Sequence, residues 1–280
     1  MFTITVTGKD RPGLFRDMLV SLRGNDLTGW RVVIAIDGDR GQEFAEIARA
    51  ELQGVDFELS GNGTVLGIRL NPFRLLSRVF DAGSLLNLYL EEDLLVSPDA
   101  TRLALWYHRN HRLGWACLNL VSGPCGSAGL LSNSDYPDVL FEARTFNSLG
   151  FVVRRAEWHA LFRPVWMGSD QPPASPAVAG WRTHWGWDWS VYGAIADGDM
   201  VSLQPALARA THTGAAGTYT KPGFQERAFG GMEINHARDV DYRVVDAATL
   251  PHVLRSHINL HDETTARLIQ LEAAARGQPR

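Results

Sequence analysis

The sequence contains very little cysteine. Only Cys117 and Cys125 occur among 280 residues, which is too few for a disulfide framework, and their spacing is not that of a metal-binding motif. We therefore expect free thiols in a protein of a reducing compartment, with a single disulfide bridge as the alternative.

Long apolar runs and an excess of basic residues are also missing. No stretch approaches the roughly 18 apolar residues that span a bilayer, and the first residues do not show the charged and apolar regions of a signal peptide. The 27 basic and 31 acidic residues give a formal net charge of −4, so no general positive field exists to hold a nucleic acid. We expect a cytoplasmic protein with no transmembrane segment and no nucleic-acid partner. A peripheral position at the inner membrane face is the alternative, and the sequence indicates no oligomeric state.

Several well-known motifs are absent as well. The sequence contains no GxxxxGK[ST] phosphate loop and no GxGxxG after its first strand, which disfavours P-loop and Rossmann dinucleotide sites. HExxH and GxSxG are also missing, which disfavours zinc proteases and α/β-hydrolases. A phosphate group would therefore be held by a metal ion and side chains rather than by a glycine-rich cradle.

The patterning that is present predicts an α/β protein. Hydrophobic residues make up 45% and charged residues 21% of the chain, which are ordinary values for a globular protein. Strands are predicted over residues 2–7, 31–36 and 85–90, with weaker candidates at 55–59 and 65–68, and helices over 14–22, 44–52, 72–82 and 262–276. Strands that alternate with helices of about ten residues predict a parallel sheet with helices on both faces. No repeat or hinge-like linker interrupts the chain, so we expect one compact unit over residues 1–280.

Three polar loops follow predicted strands, at residues 9–11, 37–39 and 91–93. Ligands of parallel sheets bind beyond the carboxyl ends of the strands, where such loops meet. The acidic triple, Glu91-Glu92-Asp93, ends a buried strand and is costly unless a positive charge neutralises it. Mg²⁺ and Mn²⁺ take one or two carboxylates and are commonly completed by a diphosphate. These loops therefore predict a site for a charged, metal-bound ligand.

A second candidate region is the tryptophan-rich segment 185–189 (WGWDW). An aspartate among tryptophans has apolar surroundings that raise its pKa and exclude water, so Asp188 is a candidate base for an incoming hydroxyl. The rings of Trp185, Trp187 and Trp189 are a candidate platform for a sugar acceptor. The alternative is a core tryptophan cluster whose aspartate caps a helix.

A third candidate is the segment 209–219, which combines Arg209, His212 and a run of small residues. It could close over a diphosphate, and a plain surface loop is the alternative.

In their order along the chain, these motifs resemble the nucleotide-sugar half of the N-acetylglucosaminyltransferase I and protein O-mannose N-acetylglucosaminyltransferase family. The resemblance rests on residues 9–12 (KDRP), Asp37, residues 91–99 (EEDLLVSPD), the Trp187-Asp188 pair and the segment 205–217. It implies a GT-A fold, with a Rossmann-like, mostly parallel sheet flanked by helices that continues into an acceptor-binding half. The expected parts are a nucleotide-sugar half at 1–100, an acceptor and catalytic half at 101–226 and a C-terminal extension at 227–280.

The resemblance also implies residue roles. It makes Asp93 the direct Mn²⁺ (or Mg²⁺) ligand and Asp188 the catalytic base, and it places His212 near the diphosphate or the metal. The residues that it assigns to the UDP-sugar donor are Lys9, Arg11, Asp37, Asn71, Glu91, Glu92, Thr218 and Tyr219.

The implied activity is inverting, metal-dependent transfer of a sugar, with GlcNAc favoured, from a UDP-sugar to a hydroxyl of a glycan or glycoconjugate. Because the membrane anchor and stem of the Golgi enzymes are not found, we expect a bacterial-type soluble member. Two other functions stay open at this stage. One is a sugar-nucleotide nucleotidyltransferase, which would release pyrophosphate, and the other is a non-catalytic carbohydrate-binding protein that needs neither metal nor UDP.

Overall fold

The computed structural model describes residues 1–122, 132–167, 187–214, 229, 232–246 and 249 of the chain. Cys125 and the helix predicted over residues 262–276 lie outside these residues. Cys117 is buried and is not part of a disulfide. Within the described part, no helix is both long and apolar enough to cross a membrane.

In the part of the chain that the structure describes, nine strands form one sheet and two more form a small second sheet. The large sheet has the order β11-β7-β9-β6-β8-β4-β1-β2-β3, and the small sheet pairs β10 with β5. The strands are β1 (Phe2–Gly8), β2 (Trp30–Ile36), β3 (Phe57–Gly61), β4 (Leu86–Glu91), β5 (Leu94–Val96), β6 (Trp115–Asn119), β7 (Val139–Ala143), β8 (Phe151–Arg154), β9 (Val201–Pro205), β10 (Ala210–His212) and β11 (Arg243–Val244).

Helices cover both faces of the large sheet. They are α1 (Pro12–Arg23), α2 (Gly41–Glu51), α3 (Gly67–Asp81), α4 (Ala100–Arg109), the helical segment α5 and α6 (Trp187–Asp197). Segment α5 begins as an α-helical turn (Arg155–Glu157), widens into a π-helix (Trp158–Phe162) and ends as an α-helix (Arg163–Met167). The chain thus changes directly from strand β8 to this helical segment at residue 155.

The sheet is mostly parallel. Five of its eight neighbouring pairs are parallel, including the block β3-β2-β1-β4, and β8 lies antiparallel between β4 and β6. The predicted mixed α/β fold with a mostly parallel, helix-flanked sheet is therefore confirmed. The order of the strands reverses at β1, since β2 lies on one side of it and β4 on the other.

Alternation along the central strands places two cores on the two faces of the sheet. Ile4 and Val6 of β1 belong to the core that packs against α1, α2 and α4. Val33 and Ala35 of β2 belong to the opposite core, which packs against α3, α5 and α6. Successive strand residues point to opposite faces, so continuous apolar runs such as residues 31–36 are explained by burial on both sides.

Helix α3 differs from the sequence-based prediction. It begins at Gly67 and keeps Pro72 inside it, whereas the prediction placed a weak strand at 65–68 and began the helix at residue 72. The reason is a tertiary contact. The Asp37 carboxylate accepts hydrogen bonds from the backbone N–H groups of Leu66 (2.6 Å) and Gly67 (2.8 Å). These donors have no partner inside the helix, and a carboxylate at a helix start also interacts favourably with its dipole.

A buried ion pair holds the chain segment that leads into the small sheet. Arg209 is fully buried, and its Nε lies 2.9 Å from Oδ2 of Asp99. The same oxygen accepts a hydrogen bond from the hydroxyl of Tyr242 (2.8 Å), and Ser97 donates to the other oxygen. Arg209 therefore has a structural role in this fold and is not available to a diphosphate.

Replacing Arg209 with leucine is expected to lower the free energy of unfolding by about 3–5 kcal/mol, because it leaves the buried Asp99 carboxylate without its countercharge. Urea denaturation measures this effect. Arg102→Leu is the matched control, since the Arg102–Asp239 pair is exposed and exposed pairs contribute about 0–1 kcal/mol. Equal losses in the two variants would contradict a structural role for Arg209.

Candidate functional site

A cavity of about 700 Å³ opens at the carboxyl ends of β1, β2 and β4. This edge is the place where the strand order reverses, which is where ligands of such sheets bind. Six of the residues predicted to bind the donor line this cavity, namely Lys9, Arg11, Asp37, Asn71, Glu91 and Glu92. The three polar loops singled out in the sequence thus meet at one opening.

The loop after β1 is held in place by Glu92. One carboxylate oxygen of Glu92 accepts the backbone N–H of Lys9 (2.7 Å), and the other accepts Nε of Arg11 (2.7 Å). Glu92 is 2% exposed, so these charge-assisted bonds are made away from bulk water, where they are strong. Glu92 was expected to touch the donor, but both of its oxygens are already used to fix the loop that carries Lys9 and Arg11.

Asp93 lies beside this loop with two partners, the guanidinium of Arg11 and the imidazole of His212. Its Oδ2 is 2.7 Å from Nη1 of Arg11 and 2.9 Å from Nε2 of His212. Burial by itself raises the pKa of Asp93, but the hydrogen bond from His212 and the charge of Arg11 outweigh it, so the pKa lies below its usual value. Asp93 is therefore a carboxylate at neutral pH.

The second carboxylate oxygen of Asp93, Oδ1, is a candidate metal ligand. Oδ1 is buried and has no hydrogen-bond partner in the described part of the chain, and a buried carboxylate oxygen rarely stays without one. No group of three His, Cys, Asp or Glu residues in that part could hold a metal ion by itself. A single carboxylate completed by a diphosphate is, however, a common way of binding Mg²⁺. The residues present thus fit a divalent ion that arrives with a phosphorylated ligand.

Glu91 lines the cavity, and Asp188 is near enough to act on it electrostatically. Glu91 is half-buried, and its free surface faces the cavity. Burial and the charge of Asp93, with a smaller contribution from Asp188, raise the pKa of Glu91 to about 7. Asp188 is half-buried in the first turn of α6. The structure thus brings the predicted base near the acidic triple although about 95 residues separate them in the sequence.

Asp37 and Asn71 have structural partners as well as a place at the cavity. Beyond capping α3, Asp37 accepts a bond from the side chain of Asn62 (3.3 Å). The oxygen of the Asn71 side chain accepts a second bond from Asn62 (2.9 Å), and its nitrogen donates to the carbonyl of Ala35 (3.3 Å). A carboxylate has about four acceptor positions, so Asp37 retains acceptor capacity toward a ligand.

The predicted tryptophan platform is not what the structure shows for Trp187. This ring is 3% exposed and stacks on Trp166 with centroids 3.7 Å apart and planes 4° apart. The core-cluster alternative is therefore correct for Trp187, because its face is covered by another ring. Trp185 and the side chain of Trp189 lie outside the described residues, as do Thr218 and Tyr219.

Two residues that shape the site had no role of their own in the sequence-based prediction: Gly214, which belongs to the segment that carries the resemblance, and Tyr89. Gly214 is buried beside the Asp93 pair, and a methyl group there would lie 2.7 Å from Oδ2 of Asp93 and 2.8 Å from Nη1 of Arg11. Tyr89 lines the cavity from β4 and donates to Glu91. The signal that could have identified Tyr89 is its hydroxyl, the polar group of a tyrosine within the mostly apolar run 85–90.

Comparison with known proteins gives partial structural likenesses only. No protein-family model matches the sequence, and no curated protein matches it. A mannosyltransferase from Pyrobaculum calidifontis in complex with GDP-mannose and Mn²⁺ is 12% identical, with a TM-score of 0.42 over 57% of this chain and 46% of that chain. The glycosyltransferase GlyE of Streptococcus pneumoniae is 16% identical, with a TM-score of 0.41 over 71% of this chain and 44% of that chain.

Mouse xyloside xylosyltransferase 1 is 11% identical, with a TM-score of 0.45 over 71% of this chain and 83% of that chain. The chain spans less than half the length of the first two structures. At these identities, and with TM-scores below 0.5, none of the three identifies the activity of this chain.

Replacing Gly214 with alanine is expected to lower the free energy of unfolding by about 1–3 kcal/mol, because the added methyl group overpacks the Arg11–Asp93 contact. Chemical denaturation measures this change. Gly13→Ala is the control, since nothing lies within 4 Å of a methyl group at that position. Comparable stability of both variants would show that the segment at Gly214 moves away without cost.

Proposed function

We propose that this chain is an inverting, metal-dependent glycosyltransferase. It would move a sugar, with GlcNAc favoured, from a UDP-sugar to a hydroxyl of a glycan or glycoconjugate. One observation carries the proposal: a cavity at the reversal point of the sheet is lined by the loop at Lys9, by Asp37 and by Glu91 and Glu92. Asp93 lies behind it on Arg11, and Asp188 acts electrostatically on Glu91. The resemblance of these same segments to N-acetylglucosaminyltransferase I supports the choice of donor and stereochemistry.

The donor would lie along the carboxyl ends of the strands. The ammonium group of Lys9, which lines the cavity, is suited to the diphosphate. Asp37 has acceptor capacity left for the uracil or ribose, and Glu91 faces the cavity as an acceptor for sugar or ribose hydroxyls. Thr218 and Tyr219 are proposed to cover the diphosphate.

Asp93 would hold the divalent ion, with His212 beside it. When bound there, Mn²⁺ or Mg²⁺ supplies positive charge to the diphosphate leaving group. Arg11 already lies against Asp93, so part of that positive charge is present in the protein itself.

Asp188 would act as the base. The acceptor oxygen forms a bond to the anomeric carbon while its proton passes to the Asp188 carboxylate, and the bond between that carbon and UDP breaks on the opposite face. The buried Trp187 ring anchors the start of α6, where Asp188 follows it in the first turn. A rigid support of this kind keeps a base in reacting geometry.

The test is a donor screen that follows UDP release from a panel of UDP-sugars with and without Mn²⁺, followed by acceptor trials. Metal-dependent UDP release with a sugar product supports the proposal. Release of pyrophosphate from UTP would assign the chain to the nucleotidyltransferases instead. Metal-independent glycan binding without turnover would make it a carbohydrate-binding protein.

Asp188→Asn is expected to reduce transfer by about 10²–10⁴-fold, since it removes the group that takes the proton. Calorimetric affinity for UDP-GlcNAc is expected to stay within about twofold of the native value, because the change preserves shape. Asp199→Asn is the control, as Asp199 is exposed just beyond the same helix. Near-native transfer by Asp188→Asn would refute its role as the base.

Asp93→Asn is expected to weaken Mn²⁺-dependent UDP binding by about tenfold or more, because a neutral amide is a poor ligand for a hard cation. Titration of UDP in the presence and absence of Mn²⁺ measures the metal-dependent part of the affinity. Asp39→Asn, at an exposed position of the neighbouring loop, is the control. An unchanged Mn²⁺ dependence in Asp93→Asn would place the metal elsewhere.

A further inference from the structure

We infer that Tyr89 is a positioning residue that holds the Glu91 carboxylate toward the donor, an inference that rests on the function proposed above. Tyr89 lies on β4, two residues before Glu91, and its side chain is fully buried. Its hydroxyl donates to Oε1 of Glu91 at 2.9 Å. Among the described residues this is the one hydrogen bond made by the Glu91 side chain, so nothing else in that part of the chain fixes its direction.

A row of polar side chains runs between β1 and β4 and ends at Glu91. The parallel register places Thr3 beside Asn87, Thr5 beside Tyr89 and Thr7 beside Glu91. Its hydrogen bonds are Thr3 Oγ1 to Asn87 Oδ1, Asn87 Nδ2 to Thr5 Oγ1 and Thr7 Oγ1 with the Tyr89 hydroxyl, at 2.8 to 2.9 Å. Buried polar groups are costly unless paired. The bonds form two sets, Thr3–Asn87–Thr5 and Thr7–Tyr89–Glu91, and the second set reaches the cavity at Glu91.

The chemistry of the groups sets the direction of the last two bonds. Burial first, and then the negative charge of Glu91, raise the pKa of Tyr89 well above its usual value, so the phenol keeps its proton. A phenol has one proton to give, and the Tyr89 hydroxyl gives it to Oε1 of Glu91, which accepts it in its ionised form. The Thr7 hydroxyl must therefore donate to Tyr89, and Tyr89 donates to Glu91.

The ring of Tyr89 is fixed by the aromatic core. It packs against Phe151 with centroids 5.0 Å apart and meets Trp187 edge-on at 6.1 Å and 84°. Packing of this kind locks a buried side chain in one rotamer. Because Trp187 directly precedes Asp188, Tyr89 ties the strand that carries Glu91 to the start of the helix that carries the proposed base.

A phenylalanine at position 89 would preserve only part of these contacts. A phenylalanine keeps the ring contacts with Phe151 and Trp187 but leaves Glu91 without its donor. Tyr107 offers a matched control, because it is also a fully buried tyrosine and its hydroxyl has no hydrogen-bond partner in the described part of the chain.

The kinetic test measures UDP release from UDP-GlcNAc with Mn²⁺ in Tyr89→Phe and Tyr107→Phe. For Tyr89→Phe we expect KM for the donor to rise about tenfold, the size of one hydrogen bond to a charged group, and kcat to change by less than about twofold. Tyr107→Phe is expected to keep the native KM. A role in folding alone would lower kcat through an inactive fraction and leave KM unchanged, which would overturn the inference.

A double-variant comparison tests whether Tyr89 acts through Glu91. Binding of UDP-GlcNAc is measured for Tyr89→Phe, Glu91→Gln and the protein with both changes. If the hydroxyl works by orienting the carboxylate, the double variant binds no more weakly than Glu91→Gln alone. Losses of affinity that simply multiply would show that Tyr89 acts independently, and would overturn the inference.

Crystal structures keep this inference separate from the proposed function. If no UDP-sugar binds the native protein, the proposed function fails, but the geometry can still be compared in native and Tyr89→Phe crystals. We expect the Glu91 carboxylate to turn away from its native position or to lose its density in the variant. An unmoved, well-ordered Glu91 in Tyr89→Phe would refute a positioning role for Tyr89.

Discussion

The contact of the Asp93 carboxylate with Arg11 and His212 is the interaction on which the site depends. Removing a carboxylate from water costs several kcal/mol unless good geometry and countercharge offset it. Here Arg11 reaches Asp93 from the loop after β1, and His212 reaches it from the small sheet. A backbone hydrogen bond holds the same two segments together, because the N–H of Thr213, next to His212, donates to the main-chain carbonyl of Asp93 (2.8 Å). The loop after β1, the acidic triple and the small sheet thus meet at Oδ2 of Asp93.

The acidic triple divides its work among its three members. Glu92 fixes the loop at Lys9 and Arg11. Asp93 pairs through Oδ2 with the Arg11 and His212 side chains, and its Oδ1 has no hydrogen-bond partner in the described part of the chain. Glu91 faces the cavity and accepts a hydrogen bond from Tyr89. The local backbone accompanies this division, because Glu91 ends β4 whereas Glu92 and Asp93 form the turn that leads into β5. One short motif therefore supplies a support, a candidate metal ligand and a candidate ligand contact.

The sequence predicted the parallel sheet and the location of the site, because apolar periodicity and the rule for strand ends act locally. Sequence-based prediction failed where contacts between residues far apart in the sequence determine where a helix begins or which side chains are buried. The start of α3 at Gly67 depends on Asp37, about 30 residues earlier. The burial of Trp187 depends on Trp166, and that of Arg209 on Asp99. The small residue at Gly214 could not be explained before Asp93 and Arg11 were placed beside it. Local patterns do not contain such partners.

The charges around the cavity also explain why a diphosphate should bring a cation with it. The acidic triple and Asp188 bring four carboxyl groups together, and in the described part of the chain the guanidinium of Arg11 and the imidazole of His212 pair with Asp93. A diphosphate alone would meet these acids with like charge, and Coulomb repulsion is strong where water is partly excluded. The Lys9 side chain offsets one charge at the rim of the cavity. A divalent ion at Oδ1 of Asp93 would offset two more negative charges. The excess of carboxylates and the unpaired Oδ1 atom are therefore both accounted for by a site that binds a cation together with a diphosphate.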